Sequence, residues 1–239
     1  MQKKLLSFLA LAFLAQSALF GTPCQAQAQN PYPSMAPLAQ YLMPDQNAEI
    51  ALARTAAPKS ISDAAEVLVL GRNGYTTAVK GSNGFVCMVQ RGWSGSTDFP
   101  DFWNPKLRAP ICFNPPAAKS YGALIVLKTR WVLAGKSRAE IGRAVKSTLD
   151  QKELPPLGTA AMCYMMSKQQ YLGDRDKSWR PHLMFFVSGV PANSWGANVP
   201  GSPVLASDDP EERMTIFLVP VSKWSDGTPA PPTAQSHTH

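Results

Sequence analysis

The sequence predicts an α+β fold, a largely antiparallel sheet of about six strands with a helical hairpin packed on one face. Three observations carry that expectation. Asn73-Gly74, the strongest short hairpin signal, joins the β-rich runs Glu66 to Leu70 and Tyr75 to Lys80, and Gly81-Ser82-Asn83-Gly84 turns the chain into a third run, Phe85 to Arg91. Two helical patterns then follow one another, and three further β-rich runs return at Ala160 to Met166, His182 to Val187 and Arg213 to Val221. Strands, then helices, then strands is an α+β order and not a βαβ alternation.

Taken in order, residues 1–28 read as a signal peptide. Lys3 and Lys4 give a positive start, Leu5 to Phe20 an apolar run, and Ala26-Gln27-Ala28 a small-x-small site, with cleavage after Ala28 and Ala26 as the alternative. The apolar run is 16 residues, interrupted by Ser7, Gln16 and Ser17, where a membrane span needs about 20. Thr22-Pro23 before Cys24 lacks the small residue of a lipoprotein site, so the expectation is a released periplasmic or secreted protein with no integral membrane segment after cleavage. Residues 29–44 are a proline-rich extended lead-in, 45–224 a single domain and 225–239 a tail too polar to bury anything, expected to be disordered.

Within the domain, Asp45 to Ala57 reads as a short amphipathic helix stopped by Pro58. In the third strand Phe85, Cys87 and Val89 face one way and Val86 and Met88 the other, which marks a central strand. Asn114-Pro115 fits an N-cap and first helical residue of a helix running to Gly135, and Ser137 with Glu140 is a capping box for the next. That second helix carries Ile141, Val145 and Leu149 on one face.

At 239 residues, 45% hydrophobic and 16% charged, the chain is globular and long enough for one sizeable core. Its formal charge is +7, but removal of Lys3 and Lys4 leaves 21 basic against 16 acidic residues, and the basic residues form no run or stripe. Nucleic acid is therefore not an expected partner. Of the four cysteines, cleavage removes Cys24 and leaves Cys87, Cys112 and Cys163. In an oxidising compartment Cys87 and Cys112, which bracket one loop, are the expected disulfide, worth about 3.5 kcal/mol of loop-closure entropy, with three buried thiols as the alternative.

The segments VLVLGRNGYTTAVKGSNGFVCMVQR, FWNPKLRAPICFNPPAA, YMMSKQQYLGDRDKSWRPHLMFF and WGANVPGSPVL resemble a set of secreted bacterial proteins with no assigned activity. The resemblance spans most of the mature chain and implies an exported single domain and no particular chemistry.

Three constellations are candidates for function. The first is the aromatic loop, where Trp93, Phe99, Phe102 and Trp103, with Trp179 and Trp195 from later loops, would form a rim for a small molecule, glycan or protein, unless the rings roll inward as core. Arg91, Lys106 and Arg108 beside it would favour an anionic partner. The second is His182 as general base, oriented by Asp174 or Asp176, with Cys163 as nucleophile; the competing reading is a strand-end histidine and a core cysteine. That chemistry requires a solvent-reachable His182 within about 3 to 4 Å of Cys163 or a carboxylate. The third is copper held by Cys163, Met165, His182 and Met184, against which methionine on strands is normally core; His237 and His239 in the tail would chelate only weakly. Asp98 with Asp101, and the run Asp208 to Glu212, read as solvated loop charge. No phosphate-binding, dinucleotide, zincin or nucleophile-elbow motif is present, and no cofactor is expected. The expectation is a non-catalytic exported binding or structural module, with a hydrolase or a copper protein as alternatives.

Overall fold

A computed structural model describes residues 31–231; the signal-peptide and histidine-tail expectations lie outside the described residues. Five helices are present: α1 (Gln46–Arg54), α2 (Lys59–Ser62), α3 (Pro115–Ala117), α4 (Ala123–Leu133) and α5 (Arg138–Asp150). Eight strands, β1 (Glu66–Gly71), β2 (Gly74–Val79), β3 (Val86–Gln90), β4 (Ala109–Phe113), β5 (Met162–Met165), β6 (His182–Val187), β7 (Leu205–Asp209) and β8 (Met214–Pro220), form one sheet in the order β2-β1-β3-β4-β5-β6-β8-β7.

The α+β class holds, but the sheet has eight strands and is mixed, because β3 pairs with β1 in parallel and does not pair with β2. Residues 80–85 pass around the start of β1 instead of turning back along β2: the Ser82 amide donates to the Ala64 carbonyl, and the Glu66 amide to the Phe85 carbonyl, both at 2.8 Å. Gly81 makes that crossing possible, since a Cβ there would lie 2.1 Å from the Glu66 nitrogen. The two strands missed by sequence pattern have separate causes. β4 contains Pro110, which lacks a ladder donor; it is accommodated because β4 pairs with β5 only through Cys112 and Phe113, and Arg108 bridges to Tyr171 further on. β7 is a polar edge strand whose residues are mostly exposed.

Period-two alternation sorts the strands between two cores. Val67, Val69, Cys87, Val89 and Cys112 face α1, where Leu52, Ala53 and Ala56 cover them. Leu70, Met88, Ile111, Phe113, Cys163 and Met165 face the opposite way and pack with Leu124, Ile125 and Val132 of α4 and Ile141 and Val145 of α5. The expected single helical layer is therefore joined by α1 on the other face. Cys87 and Cys112 are direct cross-strand partners, Cα atoms 4.0 Å apart, and form a buried disulfide on the α1 side.

Local signals set the helices. Asp45 caps α1, accepting from the Ala48 amide, and Asn114 caps α3 by accepting from Ala117. Between α3 and α4 the helix widens into a π-helical turn over Ala118–Gly122. Gly135 (φ 78°) ends α4 with the two bonds of a Schellman motif, Gly135 N–H to Val132 and Lys136 N–H to Trp131, and the Ser137–Glu140 capping box starts α5. Residues 225–231, expected as the start of a disordered tail, form a turn: Lys223 bridges to Pro229, the Ser225 amide donates to Met166, and Lys168 pairs with Asp226.

Candidate functional site

The aromatic loop is core. Trp93 and Phe102 are fully buried and Trp103 nearly so. The Trp93 indole N–H donates to Thr129 at 3.0 Å, and the Arg138 guanidinium lies 5.0 Å over the Phe102 ring. Phe99 and Trp179 are half-buried, and only Trp195, 47% exposed and stacked on Phe217 at 4.0 Å, faces solvent. The rings therefore do not make a shared rim. Nor do the nearby cations gather for an anion: Arg91 is buried against Glu49, Arg108 donates to the Pro105 and Leu107 carbonyls, and Lys106 pairs with Asp174.

Cys163, Met165, His182 and Met184 lie on adjacent strands and one face, with Cys163 opposite Met184 and Met165 opposite His182. His182 is only 2% exposed; its Nδ1–H donates to the Arg180 carbonyl at 2.8 Å and its ring packs on Trp179 at 4.6 Å. Burial lowers its pKa to about 4, and burial also pushes the Cys163 thiol well up, away from the nucleophilic thiolate. The expected orienting carboxylates are engaged elsewhere: Asp174 accepts from Tyr32, Tyr171 and Lys106, and Asp176 from Arg175. Among the described residues no group of three or more His, Cys, Asp or Glu side chains is placed to hold a metal ion.

A different place combines a cavity with unsatisfied polar groups. A cleft of about 750 Å³ opens between the π-helical turn, the end of α5 and the β7–β8 turn. Tyr121 and Leu124 form one wall, Leu149, Leu154, Pro155, Pro156 and Leu157 the second, and Glu212, Arg213 and Met214 the third. The local backbone is unusual at each wall. The π-helical turn carries Ser120 and Tyr121. Lys152 (φ 55°) occupies the left-handed position after α5 that glycine normally takes, with the Glu153 amide donating back to Thr148. Arg213 (φ 55°) is left-handed in the β7–β8 turn, which the Glu212 amide closes by donating to Asp209 Oδ1 at 2.9 Å. Left-handed non-glycine residues cost about 1 to 2 kcal/mol each and concentrate at functional positions.

Beside this cleft lies a buried ion pair. Lys128, fully buried on α4, donates to Glu212 Oε1 at 2.6 Å, to the Gly95 carbonyl at 2.5 Å and to the Ser94 carbonyl at 3.4 Å. Glu212 is 5% exposed, and its second carboxylate oxygen, Oε2, makes no hydrogen bond among the described residues. Among the described residues, three of the six buried side-chain atoms left without a partner, Ser94 Oγ, Glu211 Oε1 and Glu212 Oε2, belong to the two segments that meet around Lys128. Burial raises the Glu212 carboxyl to about 7, with Lys128 opposing and Asp209 adding to the shift. Burial, reinforced by the charge of Glu212, also holds the Tyr121 hydroxyl well above its usual range.

Comparison of the chain with family profiles, curated proteins and solved structures finds no match. The functional reading therefore rests on this geometry. Of the serines that line the cleft, Ser120 has its hydroxyl spent on the Pro116 carbonyl at 2.8 Å. An apolar cleft with one buried carboxylate oxygen to spare is suited to holding a molecule. Sequence reasoning missed it because Lys128 and Glu212 are 84 residues apart and Glu212 sits in an acidic run that reads as solvated charge. One signal was available: Lys128 falls between Leu124 and Val132 at helical spacing, a lone cation on a buried stripe.

Proposed function

We propose that this chain is an exported, non-catalytic binding module whose ligand site is the cleft bounded by Tyr121, Leu154 and Met214. The observation that carries the reading is the cleft itself, about 750 Å³, with four leucines and two prolines among its walls. That size lies within the range of small-molecule sites, about 300 to 1,000 Å³, and such sites combine apolar walls with a few polar groups. The reading keeps the binding class expected from sequence and moves its site from the aromatic loop to the far end of the helical hairpin. Export is supported by the leader-like first residues and by the Cys87–Cys112 disulfide, which suits an oxidising compartment.

The test uses Nile red, a neutral apolar dye, titrated into purified protein. One molecule should bind per chain, and Leu154→Trp, which fills the cleft from the linker after α5, should weaken it by about tenfold or more without lowering the melting temperature. Dye binding that ignores Leu154→Trp would place the ligand elsewhere and end this reading.

A further inference from the structure

We propose that the cleft is selective for a small neutral amphiphile that carries a hydroxyl at the end of its apolar body, because Glu212 Oε2 is a hydrogen-bond acceptor with nothing to accept. The inference rests on the cleft reading above and adds the chemical class of the ligand. It follows from counting donors and acceptors at the polar end. An ammonium has three hydrogens, and Lys128 directs its three at Ser94 O, Gly95 O and Glu212 Oε1. No Lys128 hydrogen remains at this end of the cleft to receive a carboxylate, a phosphate or an ether oxygen; the other cations of the lining are Lys152, after α5, and Arg213, which donates to Asp150. Glu212, in contrast, uses only Oε1, and its Oε2 is buried without a partner. A ligand that ends in an acceptor would set lone pairs against lone pairs at this position and lose its hydration for no return. A ligand that ends in a donor restores the missing bond.

Charge narrows the class further. A cationic donor would have to shed the hydration of a full charge beside the Lys128 ammonium, whereas a hydroxyl brings the same hydrogen at far smaller desolvation cost. The apolar walls fit an alkyl or ring body, with the hydroxyl meeting Glu212 past Tyr121 and Met214. A site built to hydrogen-bond a hydroxyl rejects the isostere that lacks it much more strongly than an apolar pocket rejects a missing methylene.

Competition against Nile red at pH 8, above the value of about 7 to which burial pushes Glu212, separates the outcomes with three probes of matched length. 1-Octanol should displace the dye about tenfold more effectively than 1-methoxyheptane, which has the same heavy-atom count but no O–H, and more effectively than octanoate. In Glu212→Gln the amide oxygen can keep the Lys128 bond and present N–H where Oε2 stood; the octanol hydroxyl and the ether oxygen can both accept it, so octanol should lose its advantage over the ether and octanoate should gain on both. The double variant Lys128→Met/Glu212→Leu, which removes both buried charges and offers neither donor nor acceptor, should make octanol and the ether equal, and serves if the glutamine variant does not fold. Octanol, ether and octanoate competing within twofold of one another in the unmodified protein would overturn the inference while leaving the cleft reading intact. Failure of all three to displace the dye would instead sink the cleft reading.

Discussion

Among the described residues two ion pairs are buried, and they differ in how fully they are hydrogen-bonded. At the first, Glu49 on α1 meets Arg91 at 3.0 Å, both nearly inaccessible, and among the described residues neither leaves a buried side-chain atom without a partner. Arg91 Nε donates to the Tyr41 carbonyl, Nη1 to Val89 and Nη2 to Glu49 Oε1, which also accepts from the Leu70 amide at 3.1 Å. This knot ties the lead-in, α1, β1 and β3 together. At the second, Lys128 and Glu212 are equally buried, yet half of the carboxylate is unused and the pair borders a cleft. A buried charge pair stabilises best when its remaining hydrogen-bonding capacity is met, so the first is a fastening, and the second, with an oxygen left over, is the one to which the proposed ligand is assigned.

Substitution should separate the pairs most clearly. Glu49→Gln leaves the buried Arg91 guanidinium without a counter-charge and is expected to cost about 3 to 5 kcal/mol in urea unfolding. Glu212→Gln also removes a counter-charge, that of buried Lys128, but from a carboxyl that burial already raises to about 7 and so disfavours as an anion, and its cost should be smaller, about 1 to 2 kcal/mol at pH 7. Equal losses would erase the distinction.

Acidity sharpens it with a smaller effect. Glu212 has a folded pKa, about 7, above its unfolded value near 4.5, so the stability it contributes is present below pH 4.5 and is lost as pH rises towards 7. His182 works in the opposite sense: its folded pKa of about 4 lies below 6.5, so its contribution is present above pH 6.5 and is lost as pH falls towards 4, by at most about 3 kcal/mol. Stability profiles from pH 4 to 8 should therefore gain a positive slope in Glu212→Gln and lose one in His182→Gln, relative to the unmodified protein. An unchanged slope in Glu212→Gln would mean that its carboxyl is not proton-avid.

Much of the scaffold was legible because its determinants are local. The Asn73-Gly74 turn, the Asn114 cap, the Schellman turn at Gly135 and the Ser137–Glu140 box each depend on residues within a few positions of one another, and each is present. The cross-strand disulfide was legible because Cys87 and Cys112 flank a single excursion of the chain. What escaped was non-local. Parallel pairing of β1 with β3 depends on the tight backbone crossing at Gly81, which no strand pattern announces. Pro110 disguised β4, and polarity disguised β7. Trp93 and Phe102 of the aromatic loop point inward where α4 supplies Thr129 to the first and α5 supplies Arg138 to the second, partners that the loop's own sequence does not name. The cleft needed three distant segments at once, and only Lys128, on its buried stripe, hinted at it.

The widened turn at Ala118–Gly122 sets the angular phase of everything after it. A π turn holds one residue more than an α turn, and each residue advances a helix by about 100°. Tyr121 reaches the cleft, and Lys128 reaches Glu212, from one rigid rod whose rotation relative to its Asn114 cap is fixed by that surplus residue. Excising Lys119 would restore a regular helix and swing both side chains about a quarter turn away from the third wall, so a single-residue deletion on the surface controls whether the interior has a receptacle at all.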